Sequence, residues 1–400
     1  MNSKILSKKF FVMKNEFQYY DWGSIDAIEE LFNIKNAKKM PLAEIWMGAH
    51  PKASSSVENF DGNLIPLNEL ISINIKSILS EKIANKFGGL PFLFKVLSAS
   101  KALSIQVHPS KEEAKKGFAR ENDMNIDLSS PVRNYKDPNH KPELVYALTQ
   151  YEAMNGFRSL EEIIQYFKSL EIEELHGLVK ALESNQSEDG LKAFFIDLLQ
   201  LDEQLKKTAI HKLLAFSNRN KNDLIYSLIT RLSKEYPGDI GLFTPLLLNY
   251  VVLEPGEAMY LDARTPHSYI RGTSLEVMAN SDNVLRAGLT PKHIDVSELA
   301  CCTSFKHKPF DSLLLTPSVS NDVLDFPVPI DDFKFSIYPH PNKVNISVSS
   351  AEIIMPIDDD LIVSVNGEFS VVGKGQSIFI PASTEHYNMN SIGRVARVYN

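Results

Sequence analysis

The sequence predicts a mainly β fold that is interrupted by a helical insertion. Two apolar, strand-like runs occupy residues 91–97 and 103–108, and a third follows at 143–148. Between about residues 159 and 236, apolar side chains such as Leu160, Ile163 and Phe167 instead recur at helical spacing, and glycine and proline are scarce. Strand character returns at residues 250–253, before a turn at 254–257. The chain therefore predicts β structure on both sides of an α-helical domain.

A repeated spacing indicates that the β structure is duplicated. Residues 256–267 and 375–386 both run eleven steps from a glycine to a histidine. Each stretch predicts a turn, a short strand, a second turn, and a histidine that begins the next strand. A cupin-type jelly-roll barrel presents one of its metal-ligand strands in this way. The sequence thus predicts two cupin-type jelly-roll β-barrels plus an α-helical domain.

These patterns suggest three units. We expect a first barrel from residues 1–155 and 241–300, an α-helical insertion at 156–240, and a second barrel at 301–400. A helix is predicted at 111–121, with Ser110 as its N-cap. The second barrel lacks a Gln-x-His strand ahead of its repeat, so we expect it to be metal-free, with His386 at the surface or at a sheet edge.

The strongest candidate site lies on the strand at 103–108. Side chains alternate faces along a strand, so Ser104, Gln106 and His108 share one face, and burying them without partners would be costly. A divalent metal would remove that cost. Glu143 and His267, which also lie beside strand residues, would complete a set of two nitrogen and two oxygen ligands with Gln106 and His108. Such a set suits zinc, with room for water or substrate.

Several charged residues near these ligands are further candidates. His140 and Lys141 follow a polar loop and could handle protons or contact a phosphate. Arg286 lies in an apolar stretch with Glu276 and Asp282, and it either pairs with Asp282 or supplies a fixed positive charge to the pocket.

Composition narrows the class of protein. The chain has 400 residues, 44% of them hydrophobic and 23% charged, as in ordinary globular proteins. A formal net charge of −8 argues against nucleic acid or an anionic membrane as partner. The two cysteines, Cys301 and Cys302, are adjacent and fit a reducing compartment. The segment 1–11 lacks a secretory apolar core, and no apolar run is long enough to span a bilayer. We therefore expect a cytoplasmic protein, and a monomer.

Several long motifs resemble those of type I mannose-6-phosphate isomerases. The likeness covers roughly residues 17–292 and is carried by the segments 20–24, 43–51, 90–97, 103–109, 135–143 and 281–292. The resemblance implies a cupin fold with a helical insertion, one zinc ion per chain, and interconversion of mannose 6-phosphate with fructose 6-phosphate through a cis-enediol.

The resemblance also implies roles for individual residues. Zinc would be held by Gln106, His108, Glu143 and His267, and Arg286 would be the catalytic arginine. Lys141, His140 and Asp282 lie where proton-transfer or ring-opening roles are expected. Residues at the places of Lys95, Ser104 and Lys292 are associated with phosphate, and Glu276 is a further substrate-binding candidate. The sequence leaves Lys141, Glu276 and Asp282 open as the general base.

Two rival interpretations remain. An iron oxygenase of the cupin class would use two histidines and a carboxylate, and metal content would distinguish it from a zinc enzyme. A non-catalytic sugar-phosphate-binding module could dispense with Arg286 or with the complete ligand set, whereas this chain contains both.

Overall fold

The computed structural model describes residues 8–59 and 62–400. Most of the segment 1–11, on which the expectation of no secretory leader depends, lies outside the described residues. The strands are β1 Phe11–Lys14, β2 Glu16–Ser24, β3 Leu42–Gly48, β4 Ser56–Glu58, β5 Leu64–Pro66, β6 Phe92–Ala99, β7 Ile105–Val107, β8 Glu143–Ala147, β9 Tyr151–Phe157, β10 Leu248–Leu253, β11 Ala258–Leu261, β12 His267–Ala279, β13 Leu285–Gly288, β14 Ser318–Ser320, β15 Val323–Phe326, β16 Lys334–Tyr338, β17 Val344–Ser347, β18 Glu352–Pro356, β19 Leu361–Val365, β20 Glu368–Val372, β21 Ser377–Ile380, β22 His386–Asn390 and β23 Val395–Tyr399.

The helices include six that follow one another between β9 and β10. They are α1 Ala27–Phe32, α2 Leu67–Ile73, α3 Ile75–Leu79, α4 Glu81–Phe87, α5 Lys111–Asp123, α6 Leu160–Ser169, α7 His176–Ser184, α8 Glu188–Leu199, α9 Glu203–Arg219, α10 Leu224–Glu235, α11 Thr244–Leu247 and α12 Val296–Cys302. The predicted N-cap of α5, Ser110, is present, and it forms a capping box in which Ser110 and Glu113 each accept the other's backbone N–H. None of the helices in the described ranges is both long and apolar enough to cross a bilayer.

The first barrel is organised by the long strand β12. Its first part pairs with β7 and β9, and its second part pairs with β6 and β8. The strand changes partners around Gly272, whose φ of +117° and close approach to the Gln150 carbonyl leave no room for a side chain. One continuous strand therefore carries His267 and Glu276 on opposite sides of this corner into the same barrel.

The second barrel packs a four-stranded sheet, in the order β17-β22-β19-β20, against a nine-stranded sheet. The nine-stranded sheet also includes strands from the start of the chain, since β1 pairs with β21 and continues to β4 and β5. The expected fold class, two barrels with a helical insertion, is confirmed. The numerical domain boundaries stay a prediction.

The repeated spacing corresponds to the same layout in both barrels. Leu261 pairs with Glu143, and Ile380, at the same place in the repeat, pairs with Glu352. Glu352 is completely buried, and the guanidinium of Arg397 binds its carboxylate through two nitrogens, at 2.8 and 2.5 Å. The second barrel thus keeps the carboxylate but balances it with an arginine side chain. His386 is exposed, in contrast to the buried His267.

Candidate metal centre and its cavity

Three of the predicted ligands meet in the interior of the first barrel. The Nε2 atom of His108 lies 3.2 Å from Oε1 of Glu143, and Nε2 of His267 lies 3.6 Å from Oε2. All three side chains are buried, and their ligand atoms lie within 4.8 Å of one another. Ligands about 2 Å from a tetrahedral zinc ion lie about 3.4 Å apart. The spacing of this triad therefore matches what zinc requires.

Backbone carbonyl groups orient both imidazole rings. Nδ1 of His108 donates to the carbonyl of Asn283 at 2.7 Å, and Nδ1 of His267 donates to that of Thr265 at 2.8 Å. With the proton on Nδ1, each Nε2 keeps a lone pair for a metal. Among the described residues, the buried Nε2 of His108 makes no hydrogen bond that satisfies it.

The protonation of the imidazoles also favours a metal. Burial lowers the pKa of both rings, with help from Lys141 at His108 and from His108 at His267, whose pKa falls to about 4. Because neutral imidazole is the form that binds zinc, the pair suits a divalent cation.

The carboxylate of Glu143 is held by two further side chains. Lys141 places Nζ 3.1 Å from Oε1, and the hydroxyl of Tyr269 donates a short hydrogen bond to Oε2. Burial alone would raise the pKa of Glu143, but the Lys141 ammonium opposes this and keeps the pKa well below its usual range. Glu143 is therefore an anion with both oxygens fixed, ready to bind a cation.

Strand register places Gln106 beside the triad. Gln106 lies directly opposite His267 across the β7–β12 pair and directly opposite Arg286 across the β7–β13 pair. Residues opposite each other in antiparallel strands share one face. The Gln106 amide nitrogen donates to the Ser104 hydroxyl at 3.4 Å, and within the described ranges no hydrogen bond occupies the amide oxygen. The register agrees with Gln106 as a fourth ligand.

A cavity of about 1050 Å³ opens onto this group. Gln106, Lys141 and Glu143 line one part of it, and the segment 235–240 at the end of the helical insertion lines another. Tyr20 and Trp22, whose rings stack at 5.5 Å, also line it. The volume is sufficient for a ligand the size of a sugar phosphate.

Arg286 enters this cavity without an acidic partner. In the described part of the chain it makes no ion pair, because Asp282 is held instead by Lys52 at 3.1 Å, with His50 at 3.7 Å. The alternative that Arg286 pairs with Asp282 is therefore wrong for this structure. Burial lowers the pKa of Arg286. The pKa of Lys292 is also lowered, first by burial and then by the nearby charge of Arg286.

A buried chain of charges also lines the cavity. Nζ of Lys95 lies 2.7 Å from Glu276 and 3.4 Å from Glu44. Burial opposes the charge on Lys95, but the Glu276 and Glu44 carboxylates raise its pKa. Burial raises the pKa of Glu276 to about 7, even though Lys95 opposes this shift. Glu276 is therefore a carboxyl group that titrates near neutral pH.

The remaining sequence candidates occupy different surroundings. Ser104, Asp282 and Lys292 line the cavity. His140 does not; its Nε2 lies 3.0 Å from Asp332, which belongs to the second half of the chain. The structure therefore places His140 between the two halves of the molecule.

Sequence reasoning missed three residues of this site. Tyr269 stands two positions after His267, so strand alternation could have placed it on the ligand face. Glu44 sits in a motif that carried the resemblance, but nothing local shows its contact with Lys95. Asp239 reaches the cavity from the insertion through a contact distant in sequence.

Comparison with known proteins agrees with this geometry. The family model "Phosphomannose isomerase type I, catalytic domain" matches residues 10–160, and "Phosphomannose isomerase type I, helical insertion domain" matches residues 163–248. The mannose-6-phosphate isomerases of Salmonella typhimurium and Escherichia coli are each 44% identical over 387 residues, which cover 96% of this chain and 98% of the relative.

Solved structures show the same similarity. A Salmonella typhimurium mannose 6-phosphate isomerase bound to fructose 6-phosphate and zinc superposes with a TM-score of 0.93 and 44% identity, covering 98% of this chain and 100% of that one. A zinc-bound mannose 6-phosphate isomerase gives the same values. With a buried two-histidine, one-carboxylate site that can hold one metal ion, and with matches over nearly its whole length, this chain belongs to the type I phosphomannose isomerase family.

Proposed function

We propose that the protein is a zinc-dependent aldose–ketose isomerase that interconverts mannose 6-phosphate and fructose 6-phosphate. The observation that carries this conclusion is the buried triad of His108, Glu143 and His267, whose Glu143 lines a cavity together with Arg286, an arginine with no ion pair among the described residues. Relatives with 44% identity carry this activity in their names, and a structural neighbour holds both zinc and fructose 6-phosphate.

The reaction moves a proton between C1 and C2 through a cis-enediol, and negative charge develops on a sugar oxygen. Zinc held by His108, Glu143, His267 and Gln106 would supply a Lewis acid for that charge. Arg286 supplies a second fixed positive charge from the neighbouring strand β13. Because no carboxylate of the described residues neutralises its guanidinium, Arg286 stabilises charge that appears in the transition state.

Glu276 fits the proton-transfer role better than the other two candidates. Its pKa of about 7 lets it accept and return a proton near neutral pH. Glu276 and Lys141 both contact an opposite charge, Lys95 at 2.7 Å and Glu143 at 3.1 Å, but the Lys141 ammonium has no lone pair with which to accept a proton. The pKa of Asp282 is raised by burial, but His50 and Lys52 outweigh this and lower it, which makes it a weaker base. We therefore assign to Glu276 the transfer of the proton between C1 and C2.

The phosphate group requires cations that are free to bind it. Lys95 is buried between two carboxylates, whereas Lys292 is exposed beside Arg286 at the cavity. Lys292, together with the hydroxyl of Ser104, therefore fits the phosphate better than Lys95. Binding at this end would orient the reacting carbons toward the triad.

The surroundings of the activity are also part of the proposal. A net charge of −8 and two adjacent cysteines, one buried and one exposed, agree with a cytoplasmic monomer that has no nucleic-acid or membrane partner. Light scattering coupled to size-exclusion chromatography tests this state, and a mass of two chains would contradict it.

The proposal is tested by assaying the purified protein with mannose 6-phosphate before chelation, after chelation, and after zinc is restored. We expect fructose 6-phosphate to form only when metal is present. His267→Ala should lose both zinc and activity, because it removes one of the two nitrogen ligands. Full zinc occupancy in that variant, by elemental analysis, would show that His267 is not a ligand. Iron instead of zinc in the native protein would favour the oxygenase alternative.

A further inference from the structure

The end of the helical insertion contacts the segment before β7 and the segment after β13, two strands of the candidate site. Glu235, at the end of α10, accepts the backbone N–H of Ala102 at 2.9 Å, and the Tyr236 hydroxyl donates to the Ala102 carbonyl at 2.6 Å. Ala102 precedes β7, which carries Gln106. The insertion is therefore hydrogen-bonded to the segment that leads into β7.

Asp239 makes the corresponding contact on the other side, at the end of β13. Its Oδ1 accepts the N–H of Leu289 at 2.8 Å and that of Gly241 at 2.7 Å, while Oδ2 accepts the N–H of Thr290 at 3.1 Å. Both carboxylate oxygens are thus occupied by backbone donors, two of which belong to the turn that follows Arg286. A carboxylate that accepts several backbone N–H groups is a strong anchor.

The turn that Asp239 holds is strained and tightly packed. Leu289 has a φ of +52°, a left-handed conformation that costs a branched residue free energy. Gly241 and Gly288 approach so closely that a Cβ on Gly288 would lie 2.7 Å from the Cα of Gly241. Such a conformation persists only where its surroundings enforce it. The Leu289–Asp239 bond is positioned to do so.

The strained turn separates two cations of the cavity. Arg286 lies on β13, two residues before Gly288, and Lys292 lies two residues after Thr290. Arg286, Thr290 and Lys292 line the cavity. We propose that Asp239 is a positioning residue: by fixing the turn 288–290 it sets where Arg286 and Lys292 stand, so that the helical insertion controls the geometry of the reaction site. This inference rests on the proposed isomerase function.

The expected effect of replacing Asp239 is a loss of turnover in a protein that remains folded and keeps its zinc. A displacement of about 1 Å in a catalytic group can lower a rate about a hundredfold. Asp239→Ala should therefore lower kcat/KM by about tenfold to a hundredfold. We expect zinc to stay bound, because Asp239 bonds the turn 288–290 and none of the three triad residues. Asp239→Asn keeps one acceptor oxygen and should fall between Asp239→Ala and the unaltered protein.

The experiment combines steady-state kinetics, zinc analysis and amide hydrogen exchange on the full zinc-loaded protein. The matched control is Asp223→Ala. Asp223 is another aspartate of the insertion that accepts backbone N–H groups, those of Ile225 and Tyr226 at the start of α10, and it does not line the cavity. In Asp239→Ala we expect faster exchange in the peptide 286–292 together with the kinetic loss. Asp223→Ala should show neither change, even if its melting temperature falls.

Three results would overturn the inference. Kinetics like those of the unaltered protein in Asp239→Ala would show that the anchor is only structural. A kinetic loss without faster exchange at residues 286–292 would show that Asp239 acts by another route, and an equal kinetic loss in Asp223→Ala would reduce the effect to general stability. If Asp239→Ala does not fold, Asp239→Asn is judged by the same criteria. An unaltered protein that is inactive with zinc would refute the isomerase function, whereas the exchange comparison would still test the anchor.

Discussion

Replacing Arg286 by alanine removes a positive charge that no acidic side chain in the described structure neutralises. Arg286 lies directly opposite Gln106, and Gln106 lies directly opposite His267. Arg286 is therefore on the strand that pairs with β7, which carries the candidate ligand Gln106. We expect kcat to fall and KM for mannose 6-phosphate to change little, because the charge matters most when an oxyanion develops.

The size of the effect follows from the charge and its burial. Two unit charges about 4 Å apart at an effective dielectric constant of about 20 interact by about 4 kcal/mol. Loss of one preorganised donor to an oxyanion typically costs about 2.7–4 kcal/mol. The two figures agree, and together they predict a fall in kcat of about a hundredfold to a thousandfold.

A coupled assay that follows fructose 6-phosphate formation measures both constants, and elemental analysis confirms that zinc remains. Arg286→Lys keeps the charge without the planar fork and should recover part of kcat. Arg271→Ala serves as the matched control, because Arg271 is exposed on β12 and does not line the cavity. A kcat for Arg286→Ala within tenfold of the unaltered protein, with zinc bound, would refute the role assigned to Arg286.

Three further predictions concern titration and burial. Glu276→Gln should lower kcat at least about a hundredfold and remove the fall in kcat toward acid pH, so a pH profile that keeps this fall would assign the proton to another group. Burial lowers the pKa of Lys308 from 10.5 to about 8, so between pH 8 and 10.5 the unfolded chain binds more protons than the folded protein. The free energy of unfolding should therefore rise by about 3 kcal/mol over this pH range in the unaltered protein, relative to Lys308→Met. A difference between the two proteins that stays constant with pH would contradict this. In the second barrel, Arg397→Met should cost about 3–5 kcal/mol by leaving Glu352 unpaired, and adding Glu352→Met should restore most of it in urea unfolding, whereas additive losses would oppose this account.

The parts of the fold that the sequence predicts are those with a local cause. The N-cap at Ser110 depends only on residues within one helical turn, and the helical insertion shows its own apolar period. His108 and Gln106 could be placed on one strand face for the same reason. Glu143 and His267 qualify as partners because they are ligand residue types beside other predicted strands, and the family resemblance indicates the same four residues.

Other features depend on contacts between residues far apart in the chain, which local patterns do not reveal. The pairing of β1 with β21 joins the two ends of the chain, and nothing near Phe11 indicates it. The contact of Asp239 with Leu289 and Thr290 is of the same kind. The repeat predicted matching strands in both barrels, but in the second barrel the inward side chain that binds Glu352 is Tyr387 rather than His386. A left-handed residue, Glu385, immediately precedes that strand.

The central claim is that His108, Glu143 and His267 together hold one zinc ion on which isomerisation depends. Anomalous diffraction at the zinc edge, from crystals of the zinc-loaded protein, tests it directly. The account predicts one strong peak per chain, within about 2.0–2.2 Å of Nε2 of both histidines and of an oxygen of Glu143. A peak elsewhere, or none between these three side chains in protein that converts mannose 6-phosphate, would contradict it.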